Sequence, residues 1–181
     1  LPGLHNVENY MAAFAATDGI VSDDTCCAVA ESFRGVAHRL EMIRTLHGVT
    51  YCNDSIASSP TRTIAGLHAL RQKPILIAGG YDKHIPFDAL GDEICRNVKS
   101  LFLTGFTAEK IYDAVTKSPL YAPEALPIRK IDDFREAVLA AAASAEEGDL
   151  VLLSPACASF DHFKNFVERG ETFRSIVNDL K

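Results

Sequence analysis

The chain has no excess of positive charge: 18 Lys and Arg stand against 24 Asp and Glu in 181 residues, for a formal net charge of −6. Without basic residues to displace condensed counterions, nucleic acid and anionic membrane surfaces are excluded as main partners, and only local anion sites remain. Long apolar runs are also missing. Stretches such as residues 138–143 and 150–153 fall far short of the ~20 residues a bilayer span requires. No charged-then-apolar leader opens the sequence, so the expected location is the cytoplasm. The five cysteines, Cys26, Cys27, Cys52, Cys95 and Cys157, form no CxxC pair and no metal-like spacing with histidine. They read as reduced, small apolar residues, and no metal site is expected within this chain. GxxxxGK[ST], GxGxxG and GxSxG are all absent, which excludes self-contained ATP hydrolysis, dinucleotide binding and the commonest serine-hydrolase chemistry. Cys157 with His162 five residues on imitates a thiol nucleophile and its base, but nothing in the sequence orients the histidine.

What is present is ordinary globular composition, 48% hydrophobic and 23% charged, enough for one well-buried core and a short appendage. The sequence starts at Leu1, and residues 1–6 enter a helical pattern at once with no strand to begin a domain, so an upstream segment is expected. Apolar spacing predicts helices over residues 7–17 and 22–34, the second capped by Ser22 or Asp23. Two helices alone bury little. Residues 1–35 therefore read as the tail of a preceding domain, residues 35–39 as the join, and residues 36–181 as a second domain.

Beyond the join, short β-rich runs at 49–52, 75–78, 100–104, 128–131 and 150–153 alternate with helical spacing at 60–70, 86–98, 107–117 and 132–145. A final helix pair is expected over 159–169 and 171–180. Such alternation calls for an α/β, Rossmann-like, mostly parallel sheet with helices on both faces.

In open sheets of this kind ligands gather beyond the carboxyl ends of the strands. Asn53, Asp54 and Ser55 follow the first predicted strand; Gly79, Gly80, Tyr81, Asp82 and Lys83 follow the second; Thr104 and Gly105 follow the third; and SPACAS, 154–159, follows the fifth. Each group also has a plain structural reading as an Asx turn, a tight glycine bend or a helix cap. Lys83 differs, because a lysine just after a glycine pair at a strand end points a cation into the crevice. Ser159, read as a helix start, would offer a hydroxyl and free N–H groups from the other side. A dicarboxylate amino acid suits the space between them.

Taken together, GLHN at 3–6 with Asn9, FRGVAHR at 33–39, NDS at 53–55, Gly79-Gly80 with Lys83, and LSPACASFD at 153–161 followed by Phe163, Phe166, Arg169 and Gly170 resemble the D-glutamate-adding branch of the Mur ligase family. The likeness covers nearly the whole chain, and the DNPR-like motif of the diaminopimelate-adding branch is absent. The resemblance implies the end of a central ATP-binding domain followed by a C-terminal acceptor domain, with an N-terminal domain and the rest of the central one missing. It implies ATP and Mg2+ as cofactors, the metal ligands lying upstream, and UDP-N-acetylmuramoyl-L-alanine and D-glutamate as substrates joined through an acyl phosphate. By the same resemblance Asn6, Asn9, Arg39 and Asp54 approach ATP, while Ser58, Lys83, Ser159, Phe160 and Phe166 hold D-glutamate. His38, beside Arg39, is a candidate base for the amine, with a satisfied structural histidine as its alternative.

One departure stands out. Where the family pattern reads NDSKAT, this chain has Ile56 in place of the lysine and Ser58 in place of the threonine. Arg62 is the expected compensating cation. A stand-alone Rossmann-like binding module, and a related Mur or folylpolyglutamate ligase, are the alternatives.

Overall fold

A computed structural model describes residues 3–181. Leu1 and Pro2, where the expected helical pattern begins, lie outside the described residues, as do the side chains of Leu4 and His5 of the GLHN motif. The chain opens with two helices, α1 (Leu4–Thr17) and α2 (Asp23–Ser32). The hydroxyl of Ser22 accepts from the Thr25 N–H at 3.4 Å, as the capping reading expects. No residue of α2 is buried. Val7, Met11, Ile20 and Val29 are exposed along this pair, so its apolar side has no cover among the described residues.

After an irregular stretch through residues 33–40 the α/β body begins. Its strands are β1 (Glu41–Leu46), β2 (Val49–Asn53), β3 (Ile75–Ala78), β4 (Ser100–Leu103), β5 (Ile128–Lys130) and β6 (Leu150–Leu153). They lie in the order β1-β2-β6-β3-β4-β5, all parallel except the β1–β2 pair. The helices α3 (Pro60–Ala69), α4 (Asp88–Asn97) and α5 (Ala108–Thr116) cover one face, and α6 (Phe134–Ala143) and α7 (Phe166–Asp179) cover the other.

The strand sequences explain this sandwich. ILIA, SLFL and LVLL are apolar at nearly every position because both faces of a parallel sheet are buried. Successive side chains then alternate between two cores. Leu76, Leu101, Leu103 and Leu152 meet Leu67, Leu90, Ile94, Ile111 and Val115 on one side. Ile75, Ile77, Phe102, Val151 and Leu153 meet Val138, Phe173, Ile176 and Val177 on the other.

Two features differ from the sequence expectation. The edge strand β1 was not expected, because EMIRTL is half-exposed and mixes charge with apolar residues. It pairs with β2 through a two-residue turn at His47 and Gly48, whose φ of 50° and 77° are those of a tight hairpin turn. The C-terminal pair is also corrected: residues 159–165 are turns, and only α7 is helical. The Asn165 side chain caps α7, accepting from Glu168 N–H at 2.9 Å, while Glu168 reaches back to accept from Lys164 N–H at 2.7 Å. That reciprocal arrangement stops the helix from extending toward Ser159.

None of the helices among the described residues is long and apolar enough to cross a membrane.

Candidate functional site

The carboxyl ends of β2, β3 and β6 converge, and their loops are interlocked. Gly79 N–H donates to Pro155 O at 2.8 Å and Tyr81 N–H to Ala158 O at 2.9 Å, so the loops after β3 and β6 run side by side. Gly79 has φ 116°, and a Cβ there would run into the carbonyl of Thr104. Replacing Gly79 with alanine therefore combines a forbidden backbone angle with a backbone clash and should cost about 3 kcal/mol. Equilibrium denaturation checks this; an unchanged midpoint would contradict the crowding.

Beneath these loops lies Arg169, 2% exposed on α7. Its guanidinium donates to Ser55 Oγ (3.0 Å), Ser55 O (2.9 Å), Cys157 O (3.1 Å) and Ala158 O (3.1 Å). It has no carboxylate partner among the described residues, and burial lowers its pKa to about 10, which leaves it charged at neutral pH. One side chain thus ties the loop after β2 to the loop after β6.

The side chains expected to hold the amino acid are partly gathered. Lys83 Nζ donates to Ser58 O at 3.4 Å, and Lys83, Ser58, Tyr81 and Cys157 line one small cleft. Phe160 is 63% exposed, and its ring meets Tyr81 edge-on at 6.0 Å, beside that cleft. Ser159 directly follows Ala158 but is buried in a turn and is not the first residue of a helix; α7 begins only at Phe166. Phe166 lies elsewhere: its ring edge faces His38 at 6.0 Å and its carbonyl accepts from Ser55 Oγ at 2.8 Å.

Asn6, Asn9 and Arg39, from α1 and the irregular stretch, line one cavity of about 670 Å3 together with Tyr10, Phe33 and Val36. Asn9 Nδ2 donates to Asn6 Oδ1 at 3.5 Å. Arg39 also borders a second cavity of about 210 Å3, with Asp54, Ile56, Arg62 and Gly66. Asp54 is 4% exposed, and its oxygens accept from Leu40 N–H (3.2 Å) and Ser154 Oγ (2.7 Å). Burial raises its pKa to about 6, with the two hydrogen bonds and then Arg39 and Arg62 pulling the other way. Gly66 leaves room for this carboxylate, since a Cβ there would stand 3.1 Å from Asp54 Oδ2.

His38 is buried under α7 with φ 63°. Asn53 Nδ2 donates to both His38 Nδ1 (3.0 Å) and Gly170 O (3.3 Å), and His38 Nε2 lies 3.5 Å from Glu171. The His38 backbone N–H donates to Glu41 (2.9 Å), whose two oxygens also accept from Arg174 at 2.8 Å. An amide facing Nδ1 fixes the Nε2-protonated tautomer, so this ring is oriented from both sides at the end of the join.

Cys157 and His162 do not meet. The thiol is 3% exposed, lies 3.1 Å from Thr107 Oγ1, and is pushed up to about 11 by burial; His162 is exposed against Phe106 and Asp161. A buried neutral thiol is a poor nucleophile. Among the described residues no group of three or more His, Cys, Asp or Glu is placed to hold a metal ion.

Sequence reasoning passed over Arg169, which it met only as part of a motif, and the Ser154–Thr63 pair (2.9 Å) that supports Asp54. An arginine on the same helix side as Phe173, Ile176 and Val177, next to Gly170, was the available signal for the first. The second pairs residues far apart in the chain and has no local signature.

Comparison with known proteins decides the family. Residues 38–157 match the family model "Mur ligase, glutamate ligase domain". The chain belongs to the Mur ligase family. It is 52% identical over 180 residues to the UDP-N-acetylmuramoylalanine–D-glutamate ligase of Clostridium novyi, covering 99% of this chain and 39% of that protein. The enzyme of the same name from Acetivibrio thermocellus is 52% identical over 183 residues, covering 100% of this chain and 39% of its own length. This Mur ligase chain thus spans about 39% of the relatives it matches. Among solved structures, the Mycobacterium tuberculosis folylpolyglutamate synthase complexed with ADP shares the fold at TM-score 0.66 and 17% identity, covering 100% of this chain and 42% of that one. A murein peptide ligase from Psychrobacter arcticus does so at TM-score 0.58 and 20% identity, covering 100% and 38%.

Proposed function

We propose that these residues are the acceptor-positioning part of a cytoplasmic, ATP-dependent ligase that joins D-glutamate to UDP-N-acetylmuramoyl-L-alanine in cell-wall precursor synthesis. The observation that carries this is the 52% identity along 99% of the chain to an enzyme of that name. The geometry supports it: Asn6, Asn9 and Arg39 share a cavity of about 670 Å3, a volume suited to a nucleotide. Residues 1–35 are read as the end of a central ATP-binding domain and 36–181 as the acceptor domain. The exposed apolar side of α1 and α2 is the surface that more of such a domain would cover.

In this reading ATP phosphorylates the alanyl carboxylate, releasing ADP. The D-glutamate amine then attacks the acyl carbon, phosphate leaves, and the amine gives up a proton. Mg2+ supplies charge neutralisation on the phosphates when bound, through residues outside this chain. The chain's own residues orient the partners. Asn6 and Asn9 face the base, and Arg39 stands where the larger cavity meets the smaller one, at the phosphates. Lys83, Ser58, Ser159 and Phe160 face the acceptor, with Phe166 and His38 seated behind Ser55. His38, fixed by Asn53 and Glu171, holds the join against α7.

The test is ADP release by the full-length ligase carrying this sequence. Release should require both UDP-N-acetylmuramoyl-L-alanine and D-glutamate and should fail with L-glutamate; turnover with a folate and L-glutamate instead would overturn the reading. Lys83→Met should raise the D-glutamate KM about tenfold or more, since a hydrogen bond to a charged group contributes ~1.5–3 kcal/mol. The ATP KM should stay within twofold, and steady-state kinetics against each substrate would expose a wrong assignment.

A further inference from the structure

We propose that Arg62 is a second oxyanion-binding side chain, closing with Arg39 on a phosphoryl group seated in the smaller cavity. The inference rests on the nucleotide reading above and adds to it a residue and a place for the transferred group.

Three polar side chains line that cavity, Arg39, Asp54 and Arg62; Leu40, Ile56, Ala57, Ala65 and Gly66 complete it. The aspartate is already committed. Its two oxygens accept from Leu40 N–H and Ser154 Oγ, and it is 4% exposed. The guanidinium groups are not committed. Among the described residues neither Arg39 nor Arg62 makes a side-chain hydrogen bond or an ion pair, although both act on the Asp54 charge. Two fixed cations therefore face one cavity against at most one buried negative charge. Each carries a fork of N–H donors in a geometry that matches phosphate.

The position of Arg62 is otherwise unfavourable. It is the third residue of α3, whose first turn holds no acidic side chain. A cation at the positive end of a helix works against the helix dipole, so helix stability does not account for it. The backbone beneath it is held in place: Pro60 starts α3, and Thr63 Oγ1 donates to Ser154 O at 3.3 Å. Size points the same way. About 210 Å3 is ample for a phosphoryl group, and Arg39 is shared with the larger cavity of about 670 Å3 where the rest of a nucleotide fits. The cavity also contains Ile56, which brings no charge, so Arg62 is the cation that residues 54–66 contribute.

The test is calorimetric titration of the chain with inorganic tripolyphosphate at ~0.15 M salt, where distant surface charges are screened. Wild type, R62A, R62K, R39A and R71A would be compared, Arg71 being an exposed arginine in the loop between α3 and β3, at the opposite end of the sheet. R62A and R39A should each weaken binding at least tenfold, R62K should fall between them and wild type, and R71A should match wild type. Thermal denaturation of each variant accompanies the titration, and R62A should melt with wild type because its side chain is exposed. Binding by R62A equal to that of R71A, or no binding by wild type, would overturn the proposal. So would a loss of affinity in R62A for D-glutamate but not for tripolyphosphate, which would move the residue to the acceptor side. The ligase reading fails separately: loss of tripolyphosphate binding in R62A with no ADP release by the full-length protein leaves the anion site standing, whereas normal ADP release with wild-type R62A kinetics sinks this inference alone.

Discussion

Replacing Arg169 with methionine should destabilise the chain by about 3 kcal/mol and, in the proposed full-length ligase, raise the D-glutamate KM more than tenfold. Methionine fills much of the same volume but donates nothing. The carbonyls of Ser55, Cys157 and Ala158 would each lose a donor in a region closed to water. Leaving a buried acceptor unsatisfied costs ~1–3 kcal/mol per group. An opposing effect limits the sum: the guanidinium is buried without a carboxylate, so removing it also removes a desolvation cost, visible in its pKa of about 10. Two orphaned carbonyls, those of Ser55 and Cys157, outweigh that gain, while Ala158 O keeps the N–H of Tyr81. For a domain of this size the change corresponds to a melting point lower by roughly 6–12 °C. Arg169→Lys keeps the charge but cannot reach all of the acceptors, and should fall between the two. A methionine variant that melts with wild type would show that the loops after β2 and β6 hold together without this strut.

The affinity effect follows from what Arg169 joins. Ser58 lies on the loop after β2, and Ser159 and Phe160 lie on the loop after β6. Their separation is set from below by one planar group, and a binding site loosened by a fraction of an ångström loses orientation before it loses contacts. The readout is a split: the D-glutamate KM should move more than the ATP KM, because Arg169 bonds to none of Asn6, Asn9 and Arg39, which line a separate cavity.

The central strands could be read directly because a strand buried on both faces must be apolar throughout, and ILIA, SLFL and LVLL leave little alternative. The edge strand β1 escaped notice for the converse reason. An edge exposed on one side tolerates Glu41, Arg44 and Thr45, and its better signal was the turn at His47-Gly48. Residues 159–169 misled through spacing. Phe160, Phe163 and Phe166 recur at a helical interval, yet Phe163 packs on Phe134 from a turn, at 5.1 Å between ring centroids, while Phe160 points to Tyr81. Asn165 and Glu168, three apart, were the helix-start signature that this periodicity masked. Within the site, Lys83, which the strand-end rule singled out, meets Ser58, which the family resemblance supplied, and Asn6, Asn9 and Arg39, also from the resemblance, line one cavity. What could not be read was the support beneath them, since a buried arginine and the Asp54–Ser154–Thr63 chain join residues about a hundred positions apart.

Asp54 should make the chain less stable as pH rises, the reverse of an ordinary paired carboxylate. Its folded pKa is raised from 3.8 to about 6, chiefly by burial. Between those values the native state holds a proton that the unfolded chain has released. Stability is therefore greatest below about pH 4 in this contribution, falls through the window from about 4 to 6, and above it is lower by about 3 kcal/mol. Asp54→Asn should remove that slope. The neutral amide can keep both hydrogen bonds: its oxygen accepts from Leu40 N–H, and its NH2 donates to Ser154 Oγ, which then donates to Thr63 Oγ1 in place of Asp54. Urea denaturation at pH 4 and pH 7.5 should thus find the two proteins alike in acid and the asparagine variant more stable, by up to about 2–3 kcal/mol, near neutrality. Parallel curves across that range would mean that Asp54 titrates as an ordinary carboxylate. On the nucleotide reading proposed above, the same variant of the full-length ligase should lose activity, because the Asp54 charge is felt by both Arg39 and Arg62. A group that costs folding energy at working pH, yet cannot be replaced without loss of turnover, is what a site under selection for activity retains.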